Sequence, residues 1–272
     1  GIRAAKPDDP LTIIFTSGST GEPKGVVLTQ NNVGSNIEAI DHALVLSGED
    51  AILGILPFFH SFGFTVCLWT ILTLRPKGVY HFNPLDARII GKLCSEEQAT
   101  ILLSTPTFLR TYIKRCEKQE FARLRLVVTG AEKLPQDVAE AFDQKFGIRP
   151  REGYGTTELS PVVSVNLPDF KQGSYEQIAT RIGSVGRPLP GVSAKVVDPD
   201  TGADLDVDQP GMLLIKGPNV MPGYLDMPEK TASVLKEGWY TTGDIAKIDN
   251  DGFIQITDRQ SRFSKIGGEM VP

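Results

Sequence analysis

The stretch Thr16-Ser17-Gly18-Ser19-Thr20-Gly21-Glu22-Pro23-Lys24-Gly25 constrains this chain more than any other. It concentrates glycine, hydroxyl side chains and one lysine between two apolar runs, Leu11-Thr12-Ile13-Ile14-Phe15 and Val26-Val27-Leu28. Short β-branched runs bounded by glycine and serine read as strands, so two buried-looking strands hold this loop. Glycines let a backbone approach a ligand closely, with its N–H groups facing phosphate oxygens. The hydroxyls add donors, and Lys24 supplies a point charge suited to polyphosphate. Pro23 before Lys24 and Gly25 after it separate the loop from the G-x-x-x-x-G-K-[ST] pattern. A flexible Ser/Gly turn is the plain alternative; strands on both sides argue against it.

The rest of the chain frames that loop. Candidate strands at 12–15, 51–56, 78–82, 100–103 and 125–129 alternate with candidate helices near 30–46, 62–74, 86–96, 106–118 and 135–146. This alternation predicts an α/β fold, a parallel or mixed sheet covered by helices. Thr105-Pro106 and Leu134-Pro135 read as helix starts, because proline suits the first turn. From about Arg181 the texture changes to Gly/Pro turns around short β-branched runs such as 194–197 and 212–215, a small β-rich, barrel-like unit. The expected boundaries are 1–175, 176–258, and a hinge with the start of a further domain at 259–272.

A net charge of −5 argues against non-specific nucleic-acid binding. Cys67, Cys94 and Cys116 are widely spaced and lack a C-x-x-C pattern, which points to reduced thiols and a cytoplasmic setting. Residues 51–74 carry no Asp, Glu, Lys or Arg and are long enough to span a bilayer. Gly54, Pro57, His60, Ser61 and Gly63 interrupt them, so a buried strand, a sharp loop and a buried helix are expected.

Further motifs follow in order: Phe58-Phe59-His60-Ser61-Phe62-Gly63, Gly130-Ala131-Glu132-Lys133-Leu134, Gly153-Tyr154-Gly155-Thr156-Thr157-Glu158, Tyr240-Thr241-Thr242-Gly243-Asp244 and Asp258-Arg259. Glycines flanking Tyr154 let a flat ring lie against a planar ligand. Glu158 offers a carboxylate for Mg²⁺ beside phosphate oxygens. Asp244 can accept from ribose hydroxyls; a turn aspartate is its plain alternative, and a surface ion pair is that of Arg259.

Taken together, this order resembles the adenylate-forming (AMP-binding) superfamily. Within it, the chain is most similar to acyl-acyl-carrier-protein synthetases, the ligase part of the 2-acylglycerophosphoethanolamine acyltransferases. The resemblance implies that Thr16, Ser17, Gly18, Ser19, Thr20 and Lys24 hold the ATP phosphates. It implies that Gly130, Ala131 and Glu132 line the adenine pocket with Tyr154 on the base, alongside Gly155 and Thr156. It gives Thr157 a phosphate contact, Glu158 the Mg²⁺, Asp244 and Arg259 the ribose, and His60 the meeting point of acyl group, phosphate and thiol. Ser261 stands where the family hinge usually carries Asp or Lys.

The implied activity is ATP-dependent conversion of a fatty acid to acyl-adenylate, then transfer to a phosphopantetheine thiol on acyl carrier protein or coenzyme A. The family's adenylation lysine lies in a C-terminal domain, and a further portion precedes the phosphate loop. The resemblance therefore implies a fragment that is nearly inactive alone, cut from a parent that is cytoplasmic or sits at a membrane's cytoplasmic face. The rivals are a catalytically silent nucleotide-binding module and a superfamily ligase for aryl or amino acids. Two basic stretches, 110–125 and Arg259 with Arg262 and Lys265, are candidate docking surfaces for an acidic carrier protein.

Overall fold

The computed structural model describes residues 4–17, 22–259, 264–266 and 269–271. Strands β1 (Pro10–Ser17) and β2 (Pro23–Thr29) form an antiparallel hairpin around the glycine-rich loop, with Thr16 opposite Lys24. Only part of β1 is buried: Ile14 faces the core, whereas Ile13 and Phe15 are exposed. The expectation of a wholly buried strand fails because β1 is the outer strand of its sheet, so period-2 alternation turns one face to water.

Helix α1 (Gln30–Leu44) starts at a reciprocal cap. The Asn32 N–H donates to Thr29 Oγ1 at 3.1 Å, and the Thr29 N–H donates to Asn32 Oδ1 at 2.9 Å. Next come β3 (Ala51–Gly54), a π-helix over Gly63–Trp69, α2 (Thr70–Thr73) and β4 (Lys77–Tyr80). The strand–loop–helix reading of 51–74 holds, and among the described residues no helix is long and apolar enough to cross a membrane. The helix is wider than expected because both the N–H and the hydroxyl of Thr70 bond the carbonyl of Thr65, five residues back.

Helices α3 (Ala87–Glu96), α4 (Pro106–Arg115) and α5 (Gln136–Phe146) alternate with β5 (Ile101–Ser104), β6 (Leu126–Thr129) and β7 (Arg151–Gly155). As the sequence predicts, Thr105 caps α4, with Pro106 in its first turn.

Together with β8 (Val162–Val165) and β11 (Arg187–Pro188), these strands form a seven-stranded sheet ordered β4-β3-β5-β6-β7-β8-β11. The pairs from β4 to β7 are parallel, and β8 and β11 add antiparallel pairs, so the sheet is mixed. Every residue of β3, β5 and β6 is buried. Alternation explains how: Leu53, Leu102 and Val127 pack on α3, α4 and α5, while Ile52, Ile101, Leu103, Leu126 and Val128 pack on α1 and the π-helix. The result is a three-layer sandwich.

A short hairpin, β9 (Phe170–Gln172) and β10 (Tyr175–Gln177), precedes the β-rich part. That part is built from β12 (Ser193–Val197), β13 (Gly211–Lys216), β14 (Gly223–Tyr224), α6 (Pro228–Val234), β15 (Leu235–Lys236), β16 (Trp239–Ile248) and β17 (Ile254–Arg259). Strands β12, β13, β16, β15 and β17 make a curled antiparallel sheet, the barrel-like unit the turn pattern predicts. Register shifts at Met212/Leu214 and Ile245/Ala246 fit its curvature. Strand β14 leaves that sheet and pairs with β2, and one apolar cluster joins Val26, Leu28 and Leu159 to Leu213, Ile215 and Tyr240. Strands β18 (Ser264–Ile266) and β19 (Glu269–Val271) form a last antiparallel pair.

Candidate active site

Parallel strands β3, β5, β6 and β7 all end on the same side of the sheet, and the loops that leave them enclose a cavity of about 400 Å³. In open α/β sheets ligands bind at these carboxyl ends, near the point where strand order reverses. Here the chain runs from β3 out to the edge strand β4 and returns to β5 on the other side of β3. His60, Ser61, Thr105, Gly130, Ala131, Tyr154, Thr156 and Thr157 reach the cavity from those ends, while Ile40, Leu44, Leu56, Val66, Leu103 and Val165 form apolar walls. No Asp, Glu, Lys or Arg lines it among the described residues.

Three of the motifs, 58–63, 130–134 and 153–158, therefore meet at this cavity. His60 is exposed at this cavity, which excludes a buried structural histidine. Its neighbour Ser61 ties the 57–63 loop to the Tyr154 motif through an Oγ–Oγ1 contact of 3.2 Å with Thr157. Ala131 adopts φ 67°, a left-handed conformation uncommon for a non-glycine residue, at a point where the loop after β6 faces the cavity. Glu132 departs from expectation. Its carboxylate accepts from Thr107 Oγ1 at 2.7 Å on the exposed side, and it is not among the lining residues. Glu152, two residues before Tyr154, accepts from the Leu134 N–H at 3.1 Å, and burial raises its carboxyl.

Gly155 lets two strands approach closely. A Cβ there would lie 1.9 Å from the Pro161 carbonyl oxygen. Gly155→Ala is expected to cost about 3 kcal/mol or more, read as a lowered unfolding midpoint; an unchanged midpoint would contradict the geometry.

The phosphate end lies beside this cavity. Glu158 sits in the one-turn helix Thr157–Leu159 and is buried. Tyr224 donates to Glu158 Oε1 at 2.8 Å and accepts from Lys24 Nζ at 3.4 Å, with the Lys24 ammonium 4.7 Å from the ring centroid. Tyr240 is buried in the same apolar cluster as Tyr224. Burial, reinforced by the Glu158 charge, drives both phenols well above their ordinary range, so they remain protonated donors. On the other side, Tyr154 donates to Asp244 Oδ2 at 2.6 Å, and Asp244 faces Arg259 in the β16–β17 register. Gly18, Ser19, Thr20, Ser261 and Arg262, like the side chains of Ser17, Arg259 and Lys265, lie outside the described residues.

A strap missed by the motif reading, residues 217–224, fastens these parts together. Asn32 on α1 donates to the carbonyls of Pro218 and Val220; Asn219 donates to the Leu159 carbonyl; the Met221 N–H donates to that of Glu158. The sequence signal for it is Asn219, a polar side chain between Pro218 and Val220-Met221.

Two tests of chemical fit favour a nucleotide with phosphates. Among the described residues, Thr16 Oγ1 and Thr156 Oγ1 are buried without a hydrogen-bond partner, an arrangement that costs free energy unless a ligand supplies one. No group of three or more His, Cys, Asp or Glu that could hold a metal occurs among the described residues. Mg²⁺ would suit the single carboxylate of Glu158, because this ion takes one or two carboxylates and completes its shell from phosphates and water.

Of the basic stretch 110–125, Arg110 pairs with Asp137 at 3.0 Å and Arg125 with the buried Asp50 at 2.7 Å. Neither is spare charge for docking. Cys67, Cys94 and Cys116 are buried, and burial pushes each thiol up to about 12.

A sheet-end cavity thus stands beside a buried glutamate and a Tyr–Asp pair. The model for the AMP-binding enzyme family matches residues 2–225, and the chain belongs to that family. A long-chain-fatty-acid–CoA ligase of Yersinia pestis is 35% identical over 276 residues, covering 98% of this chain and 48% of that protein. The 4-coumarate–CoA ligase 2 of Oryza sativa subsp. japonica is 34% identical over 283 residues, covering 99% and 48%. The crystal structure of ATP-bound MatB from Rhodopseudomonas palustris matches with a TM-score of 0.86 at 33% identity, over 98% of this chain and 51% of that one. The chain spans about half the length of the curated relatives it matches.

Proposed function

We propose that the full-length protein activates a long-chain fatty acid with Mg-ATP and passes the acyl group to the thiol of coenzyme A. The observation that carries this reading is the cavity: apolar walls, free of Asp, Glu, Lys and Arg among the described residues, run into the hydroxyl cluster of Ser61, Thr156 and Thr157. Such walls suit an alkyl chain and offer nothing to an amino acid's ammonium group. The relatives' names favour coenzyme A over acyl carrier protein as acceptor.

In the first step a carboxylate oxygen attacks the α-phosphorus, and the bond to the departing pyrophosphate breaks. In the second, a thiolate attacks the acyl carbonyl carbon and AMP leaves. Lys24 and the hydroxyls of Thr16 and Thr157 would hold phosphate oxygens, and a bound Mg²⁺ supplies charge neutralisation there. Tyr154 would lie against the base, with Asp244 and Arg259 on the ribose. Exposed His60 would stand where acid and phosphate meet. Most of the rate then comes from positioning and preset electrostatics.

Acid-dependent ATP–pyrophosphate exchange by the full-length protein, across alkyl and aryl acids, tests the reading. Exchange that rises with alkyl chain length is expected. Exchange with aryl acids alone would move the substrate to the 4-coumarate type, and no exchange beside tight AMP binding would mean a silent module. The 272 residues alone are expected to exchange at least about 10²-fold more slowly, the typical cost of losing one donor to the reacting phosphate.

A further inference from the structure

Tyr224 has no place in the motifs that define the family resemblance, yet its hydroxyl is the junction of the phosphate end. A phenol has one proton to donate and two lone pairs to accept. Here the proton goes to Glu158 Oε1, and a lone pair faces Lys24 Nζ. The backbone sets this geometry. Strand β14 pairs Tyr224 with Val26 on β2, two residues beyond Lys24 on the same face, so the ring lies diagonally across from the lysine.

We propose that Tyr224 is a positioning residue: its hydroxyl fixes the Glu158 carboxylate for a divalent cation and holds Lys24 beside it until a polyphosphate takes the ammonium. This rests on the nucleotide reading above and adds a residue to it. One hydroxyl bonded to both partners couples them. When Lys24 turns to a phosphate, Tyr224 keeps its bond to Glu158, so the carboxylate stays aimed while the cation and phosphates assemble. A residue that merely fills the core would need the ring and not the oxygen.

Tyr224→Phe in the full-length protein separates these roles, since it keeps the ring over Lys24 and removes only the oxygen. ATP affinity is measured calorimetrically with Mg²⁺ and with EDTA. The wild type is expected to bind more tightly with Mg²⁺. The variant should lose about tenfold of that enhancement, the usual lower bound when a ligand's supporting partner is removed. Affinity in EDTA and the unfolding midpoint should change little. In a Glu158→Gln background, Tyr224→Phe should cause no further loss of the enhancement. An intact enhancement, equal losses with and without Mg²⁺, or full additivity with Glu158→Gln would overturn the proposal. Wild-type protein that fails to bind ATP in either condition would overturn the nucleotide reading itself, a result visible before any variant is made.

Discussion

Glu158→Gln in the full-length protein is expected to slow acid-dependent ATP–pyrophosphate exchange by about 10²–10³-fold, the scale of losing one preset electrostatic contact to a reacting group. Glutamine keeps an acceptor for Tyr224 and nearly the same volume, so the fold around it should survive. What it removes is the negative charge that a hard cation requires. The residue is buried, and its backbone carbonyl accepts from the Met221 N–H at 2.9 Å, which ties its turn to the strap. The loss should be relieved in part by raised Mg²⁺ concentration. A rate within about threefold of wild type would remove Glu158 from the metal-binding role.

The parts of this architecture that the sequence revealed share one property: their determinants are local. The runs at 51–54, 101–104 and 126–129 are apolar throughout because both faces of a central parallel strand are buried, and that composition is visible without a partner. Thr105-Pro106 announces α4 for the same reason. Strand β14 was invisible. It is only Gly223–Tyr224, and it pairs with β2, almost 200 residues earlier. Its direction is set by the strap's bonds to Asn32 and the Glu158 turn, which no periodicity encodes. Strand bounds differ at the edge: the candidate strand at 78–82 ends at Tyr80, and Phe82 is 92% exposed just beyond β4.

The candidate site divides in the same way. Tyr154, Thr157, Glu158 and Asp244 belong to short motifs rich in glycine, and the fold brings them near one another. Glu132 belongs to such a motif too, but its carboxylate turns outward to Thr107, because the left-handed turn at Ala131 redirects the chain. Tyr224 and the Ser61–Thr157 contact are tertiary facts. The first depends on β14 pairing with β2, and the second on the loops after β3 and β7 leaving the same side of the sheet.

The amino-terminal side of the same sheet carries a second large expected effect, on stability. Asp50, which precedes β3, is 4% exposed and accepts five hydrogen bonds: two from Arg125, two from Ser47 and one from Thr100. Burial alone would raise its carboxyl, but the bonds from Arg125, Thr100 and Ser47, with the guanidinium charge, outweigh it and hold the group well below the ordinary carboxylate range. Asp50→Ala strands these donors. The expected loss is about 3 kcal/mol, the low end for breaking a buried pair, because Arg125 is 43% exposed and can return to water.

The depressed value also fixes the sign of the pH dependence. Above about pH 4, the ordinary value for an unfolded aspartate, the carboxylate is charged in both states and its full contribution is present. As pH falls below that, the unfolded chain takes up a proton that the native state refuses, and the contribution shrinks until the native group is itself protonated. In urea unfolding, the gap between wild type and Asp50→Ala should be flat from about pH 7 to 5 and should narrow steadily below about pH 4. A gap that stays constant down to about pH 3 would mean that the cluster stabilises the fold by hydrogen-bond geometry alone, with no contribution from charge.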